Sequence, residues 1–251
     1  MRPGDGGRGR GKLWVVGIGP GDGDQITPRA RAALLAAEVI IGYATYLDLL
    51  SGELLAGKEV FRSGMHKEVE RCRLAVELAR SGKKVAVVSS GDPGVYGMSG
   101  PVLEVLGEAE LDVEIVPGVT AATAAAAFLG APLNNDFAVV SLSDLLTPWP
   151  VIEKRLAAAA AGDFVTVLYN PKSKKRREQF TKAVEIFMRH RKGETPAGIV
   201  RNAGRPGEEV VVTTLKELAE QPVDMLTTVI IGNSQTYTVN GRLVTPRGYR
   251  L

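Results

Sequence analysis

Short runs of Val and Ile recur along the chain, and almost every one ends in Gly, Ser, Asn or Asp. KLWVVGIG, EVIIG, KVAVVSSGD and VEIVPG are followed later by FAVVSLS, DFVTVLYNP, TPAGIVRNAG, EEVVVTTL and TTVIIGN. Strands this continuously apolar must be covered on both faces, which is the condition of an α/β sheet rather than a half-solvated antiparallel one. Between the runs lie helical patterns. Thr27-Pro28 reads as a cap followed by a first-turn proline, residues 66–81 form an amphipathic stretch closed by Gly82, and further helices are expected near 99–108 and over the alanine-rich 119–129. In the second half, Thr147 is expected to cap a helix that starts at Pro148 and stops before Gly162. Ser173 is expected to open one running to about 191, and Thr214 with Glu217 has capping-box spacing.

The pattern resolves into two αβα units, 12–132 and 136–245, flanked by a basic tail over 1–11 and a short tail over 246–251. LGAPLNND, between the units, interrupts the periodicity and is a candidate hinge. The chain of 251 residues is long enough for two such units.

Charge narrows the function classes. The net charge is +3, and the first twelve residues, MRPGDGGRGRGK, carry the whole excess. A neutral body argues against a dedicated nucleic-acid binder. The single cysteine, Cys72, cannot form an intrachain disulfide, which points to the cytoplasm. It lies on a stripe with Val69, Val76 and Ala79 and reads as a core residue. The N-terminus lacks the apolar core of a secretory signal. The alanine-rich stretch is broken by Pro and Gly, so no membrane span is expected.

The strand ends carry the chemistry. Gly17-Ile18-Gly19-Pro20-Gly21-Asp22 follows the first strand, and glycines there let backbone N–H groups approach a ligand. It is not a dinucleotide fingerprint. The sixth position is Asp22, and the second strand ends Ile40-Ile41-Gly42 with no acid for a ribose. Nor is there a P-loop, because every Gly-Lys pair continues as Leu13, Glu59 or Lys84. Ser89–Gly97, Pro117–Ala121, Tyr169–Ser173 and Arg201–Gly204 are small or polar loops after further strands. Ligands of open α/β sheets bind at such carboxyl ends.

Taken together and in order, GIGPGD, SSGDPGVYG, PGVTAA and VLYNP resemble the tetrapyrrole methylases, from Lys12 to about residue 245. Within that family, four segments resemble the branch that methylates C17 of precorrin-3B or cobalt-factor III. They are Gly42-Tyr43-Ala44-Thr45-Tyr46, Ser63-Gly64-Met65, GDPGVYGM and VSLSDLLTPWPVIEKRL. Asn134-Asn135-Asp136 and His66 depart from the pattern.

The resemblance implies two αβα domains with a cofactor cleft between them, and a homodimer. It implies S-adenosyl-L-methionine as methyl donor, S-adenosyl-L-homocysteine as product and a tetrapyrrole substrate in cobalamin biosynthesis. Carried over position by position, the cofactor contacts are Pro20, Ser90, Gly91, Asp92, Val95, Thr120, Ala121, Asn170 and Ala203. The reaction that the resemblance implies couples C17 methylation to contraction of the ring, a step that would move protons. Asp92, Tyr43, Tyr46, His66 and Asp144 are the candidates. For substrate carboxylates, Arg62, Lys67 and Lys172 come first, with Lys174, Lys175 and Arg176 behind them because that run reads equally as the solvated start of a helix. No His/Cys cluster calls for a metal. The rival readings are another enzyme of this fold, such as a different corrin methylase or diphthine synthase, and a nucleotide-sensing module without chemistry.

Overall fold

The structure is a computed structural model and describes residues 11–173 and 176–250. The expectations for residues 1–10, Lys174, Lys175 and Leu251 lie outside the described residues. The chain divides into two compact units, 1–120 and 121–251.

The first unit is one five-stranded, fully parallel sheet. Its strands are β1 (Lys12–Gly17), β2 (Val39–Tyr43), β3 (Glu59–Ser63), β4 (Lys84–Ser89) and β5 (Asp112–Val116), in the order β3-β2-β4-β1-β5. The helices are α1 (Pro28–Ala36), the short α2 (Ala44–Leu47) and α3 (Gly52–Leu55), α4 (Glu68–Arg80) and α5 (Ser99–Leu106). Strand alternation assigns the two faces. Trp14 and Val16 of β1 pack with Ala30, Ala33 and Leu34 of α1, whereas Leu13 and Val15 pack with Cys72 and Ala75 of α4 and Val102 of α5. Burying a Leu or Val side chain in such a layer contributes about 1.5–3 kcal/mol. α1 starts as expected, with Thr27 Oγ1 accepting the Ala30 N–H at 3.1 Å and Pro28 in the first turn. On α4 the buried stripe differs from the expected one. Val69 is 51% exposed, and Arg71 is buried in its place beside Cys72, Ala75, Val76 and Ala79.

β3 was not expected. It is an edge strand whose residues are mostly exposed, so it lacks the apolar run that marks its neighbours.

The second unit begins with α6 (Ala121–Leu129) and β6 (Gly130–Ala131). Its main sheet contains β7 (Phe137–Ser141), β8 (Val165–Tyr169), β9 (Pro196–Arg201), β10 (Glu209–Thr214) and β11 (Thr227–Ile231), in the order β10-β9-β11-β8-β7. Within it, β7 and β8 pair in parallel, while β11 runs antiparallel to both β8 and β9. One face is covered by α7 (Trp149–Ala161), α8 (Gln179–Met188) and α9 (Leu215–Leu218). On the other, Ala122, Ala125, Ala126 and Leu129 of α6 pack on Val165, Val167, Val200 and Ile230. The alanine-rich helix therefore belongs to the second unit, and the boundary expected at 132–136 moves back to 120. The candidate hinge is also corrected. Its Gly130-Ala131 is β6, paired with β13 (Arg242–Val244), which follows β12 (Tyr237–Val239).

Three local expectations change in this unit. α7 is capped by Pro148, not Thr147, with no side-chain bond. α8 begins at Gln179 and not at Ser173, whose side chain instead accepts from the Arg176 N–H. Glu217 is reached by the Thr213 hydroxyl at 3.1 Å, so the Thr214 capping box does not form. The chain also continues past the strand expected to be last. β12 and β13 form a hairpin about Asn240-Gly241, both at positive φ, a turn signal present in the sequence.

Candidate active site

All five strands of the first sheet are parallel, so their carboxyl ends share one edge. Three glycines close the middle of it. A Cβ on Gly118 would lie 2.2 Å from the Gly91 carbonyl oxygen, and one on Gly17 would lie 2.7 Å from both that oxygen and the Gly118 nitrogen. No side chain fits at either position, so the ends of β1, β4 and β5 meet backbone to backbone. Gly19 and Gly91 exchange hydrogen bonds as an isolated bridge, with N···O distances of 3.2 and 2.7 Å. Asp22, the residue that breaks the dinucleotide pattern, acts locally. Its Oδ1 accepts from Asp24 N–H and caps a single 3-10 turn.

Asp92 sits at the centre of these loops. Oδ1 accepts the Gly94 N–H at 2.8 Å and Oδ2 the Gly118 N–H at 3.1 Å, which ties the loop after β4 to the loop after β5. Of the expected cofactor contacts, Pro20 and Gly91 are buried and Ser90, Asp92, Val95 and Thr120 half-buried along this same edge.

At the outer half of the edge, the Tyr43 and Tyr46 rings stand edge to face, 5.1 Å between centroids and 89° between planes. Tyr43 pairs in register with Ser63. His66 is exposed and holds a left-handed φ of 65°. Arg62 and Lys67 are exposed and each is already paired, with Asp48 and Glu70 respectively. Such surface pairs are weak and exchange readily for another carboxylate.

In the second unit, β7, β8 and β9 point the same way, so Ser141, Asn170 and Asn202 lie at one edge with the start of β11. Asn170 and Asn202 both take positive φ, a conformation asparagine tolerates. The Asn170 amide donates to Ser141 Oγ at 2.9 Å, and the Asn202 amide to the Gly207 carbonyl at 3.2 Å. Ala203 is 8% exposed. Ala121 opens α6, and in its first turn the Tyr169 hydroxyl accepts the Ala122 N–H at 2.7 Å.

Lys172 lines a pocket of about 500 Å³ with Ser173, Arg177, Val223, Asp224, Met225 and Leu226. Arg176, expected on a solvated helix start, is instead buried and donates to the Asn170 carbonyl at 2.7 Å. Burial pulls its pKa below the ordinary guanidinium value, and Asp144 opposes that shift. Asp144 accepts from Gln179 at 2.8 Å, so it braces the start of α8.

The sequence reading gave no role to Arg71 or Tyr169 and did not foresee that Arg176 is buried. Among the described residues, no helix is long and apolar enough to cross a membrane.

A family model described as Tetrapyrrole (Corrin/Porphyrin) Methylases matches residues 12–219. The chain belongs to the tetrapyrrole methylases. It is an S-adenosylmethionine-dependent methyltransferase of that family. A protein of Salmonella typhimurium named probable cobalt-factor III C(17)-methyltransferase is 49% identical over 241 residues, covering 95% of this chain and 100% of that one. The cobalt-factor III methyltransferase of Priestia megaterium is 47% identical over 96% of this chain, which spans 46% of that longer protein. Among solved structures, the methyltransferase CobJ has a TM-score of 0.89 at 38% identity, covering 94% of this chain and 100% of that one. A uroporphyrin-III C-methyltransferase of Thermus thermophilus complexed with S-adenosyl homocysteine has a TM-score of 0.70 at 29% identity, over 88% of this tetrapyrrole methylase and 97% of that chain.

Proposed function

We propose that this tetrapyrrole methylase transfers a methyl group to C17 of cobalt-factor III, or of its metal-free counterpart precorrin-3B, with contraction of the ring, in cobalamin biosynthesis. The supporting observation is the pair of loop edges bearing the family's motifs, together with a relative of that name at 49% identity over its full length. S-adenosylmethionine supplies a sulfonium-bound methyl, which passes to the nucleophilic carbon while the carbon–sulfur pair stays with sulfur.

Gly17 and Gly118 let the loops after β1, β4 and β5 close on one another, and the Asp92 brace ties two of them together, so a fixed rim of backbone at this edge supports the assignment of such a donor to it. Pro20, Ser90, Gly91, Asp92, Val95 and Thr120 are the residues we assign to hold the donor, and Ala121, Asn170 and Ala203 carry the same assignment from the resemblance. Their contribution is alignment: holding two reactants in register is worth up to about 7–11 kcal/mol. Asp92 serves this by bracing two loops, since both its oxygens already accept backbone N–H groups. Proton movement during contraction then falls to Tyr43, Tyr46 or His66. Lys172, at a pocket with apolar Val223, Met225 and Leu226, suits a carboxylate borne on an apolar ring, with Arg62 and Lys67 as further carboxylate partners. The sole cysteine, buried and unpaired, supports a cytoplasmic enzyme, and the resemblance supports a homodimer.

The decisive experiment incubates the purified protein with methyl-labelled donor and, in parallel, cobalt-factor III or precorrin-3B, and locates the label in the product by mass spectrometry and NMR. Label at C17 is expected. Stoichiometric donor binding without transfer, or label on a different carbon, overturns the reading.

A further inference from the structure

Arg71 is 6% exposed, yet nothing in the catalytic scheme above uses it. One of its terminal nitrogens, Nη1, donates to Ser63 Oγ at 2.8 Å and to the Gly64 carbonyl at 3.0 Å. The other, Nη2, donates to Glu68 at 3.2 Å. Ser63 Oγ in turn lies 3.4 Å from the Gly42 carbonyl and donates to it. A guanidinium is costly to bury and is retained where several acceptors are fixed around it. Here the acceptors are the last residue of β3, the first residue beyond it and, through Ser63, the residue before Tyr43. Packing alone does not call for this, because Cys72, Ala75 and Val76 already fill that face of α4.

The held loop is unusual. Met65 is 58% exposed, and His66 sits at a φ of 65°, a conformation that costs energy for a side-chain-bearing residue. Met65 follows two residues after Ser63, the register partner of Tyr43, so an exposed thioether and the Tyr43–Tyr46 pair lie at the same carboxyl end of β3 and β2, chemistry suited to the flat face of a conjugated macrocycle. The strand order β3-β2-β4-β1-β5 puts this chemistry on the β3–β2 half, apart from the glycine cradle at β4, β1 and β5.

We infer that the two halves of the edge serve different reactants, and that Arg71 is the positioning residue of the acceptor half, fixing residues 63–66 beside Tyr43 as a platform for the tetrapyrrole. This rests on the proposed function. The full chain is compared with Arg71→Met, Arg71→Lys and Ser63→Ala. The readouts are kcat and KM for cobalt-factor III, S-adenosylhomocysteine affinity by calorimetry, and folding by circular dichroism. Arg71→Met is expected to raise the tetrapyrrole KM roughly tenfold with cofactor affinity within about twofold. Arg71→Lys should recover part of the loss, since an ammonium satisfies fewer fixed acceptors, and Ser63→Ala should give a smaller rise. An unchanged KM in folded Arg71→Met overturns the inference, as does an equal loss of cofactor affinity. Should Arg71→Met not fold, unchanged KM in both other variants overturns it equally. A wild-type protein that methylates no tetrapyrrole removes the functional reading and this inference with it, whereas an active wild type with indifferent variants removes the inference alone.

Discussion

The Tyr169 hydroxyl accepts the backbone N–H of Ala122 at 2.7 Å, so a side chain at the carboxyl end of β8 satisfies one of the N–H groups that the first turn of α6 leaves without a helical partner. The two residues are 47 positions apart, and Ala122 is 1% exposed. Removing the hydroxyl strands a buried donor, which costs about 1–3 kcal/mol. Tyr169→Phe should therefore lower stability by about that much in urea denaturation. A shift below about 0.5 kcal/mol would show that the N–H finds another acceptor.

Gly118→Ala tests the cradle. A methyl 2.2 Å from the Gly91 oxygen forces the loops after β5 and β4 apart. Overpacking of this kind costs about 1–3 kcal/mol, and the deformation lands on the proposed donor site. The expected result in calorimetry is a loss of S-adenosylhomocysteine affinity of at least about tenfold in protein that still folds. Wild-type affinity would place the donor elsewhere.

Asp92→Asn separates bracing from proton transfer. An amide replaces one acceptor oxygen with a donor, so one of the Gly94 and Gly118 N–H groups loses its partner. Bracing predicts weaker donor binding with the shape of the kcat–pH profile unchanged. Loss of one limb of that profile would assign Asp92 to acid–base work instead.

Glu114 gives a pH-dependent test of the first unit. The Arg29 guanidinium, helped by Lys12 and the Trp14 N–H and opposed by burial, holds its carboxyl below the ordinary value. A carboxyl depressed in the folded state contributes stability above its unfolded pKa, about 4.3, and loses it as pH falls through the folded value. Glu114→Gln should thus be less stable than wild type at pH 7, with the gap narrowing below about pH 4.3. A gap that does not change with pH would mean the ion pairs contribute nothing.

Cys72 is buried, and burial first of all pushes its thiol up to about 11. Thiol reagents should leave it unmodified in the native protein at pH 8 and label it fully in denaturant. Fast native labelling would show that α4 opens readily.

Much of the fold and of the site was legible in the residues. The apolar runs fixed where strands lie because a run of Val and Ile has few alternatives once both faces are covered, and Thr27-Pro28 named a helix start because cap and proline act locally. The motifs at the strand ends were legible for the same reason. The tertiary structure alone decided the rest. An alanine-rich helix carries no directional side chain, so the sequence could not tell which sheet α6 covers; packing on Val165, Val167 and Ile230 did. Arg176 read as part of a solvated helix start and Arg71 was given no role, because the carbonyls and hydroxyls that make their burial tolerable come from separate loops and meet only when the sheets form. Local chemistry is written in neighbouring letters, whereas the partners of a buried charge are set by strand order and register.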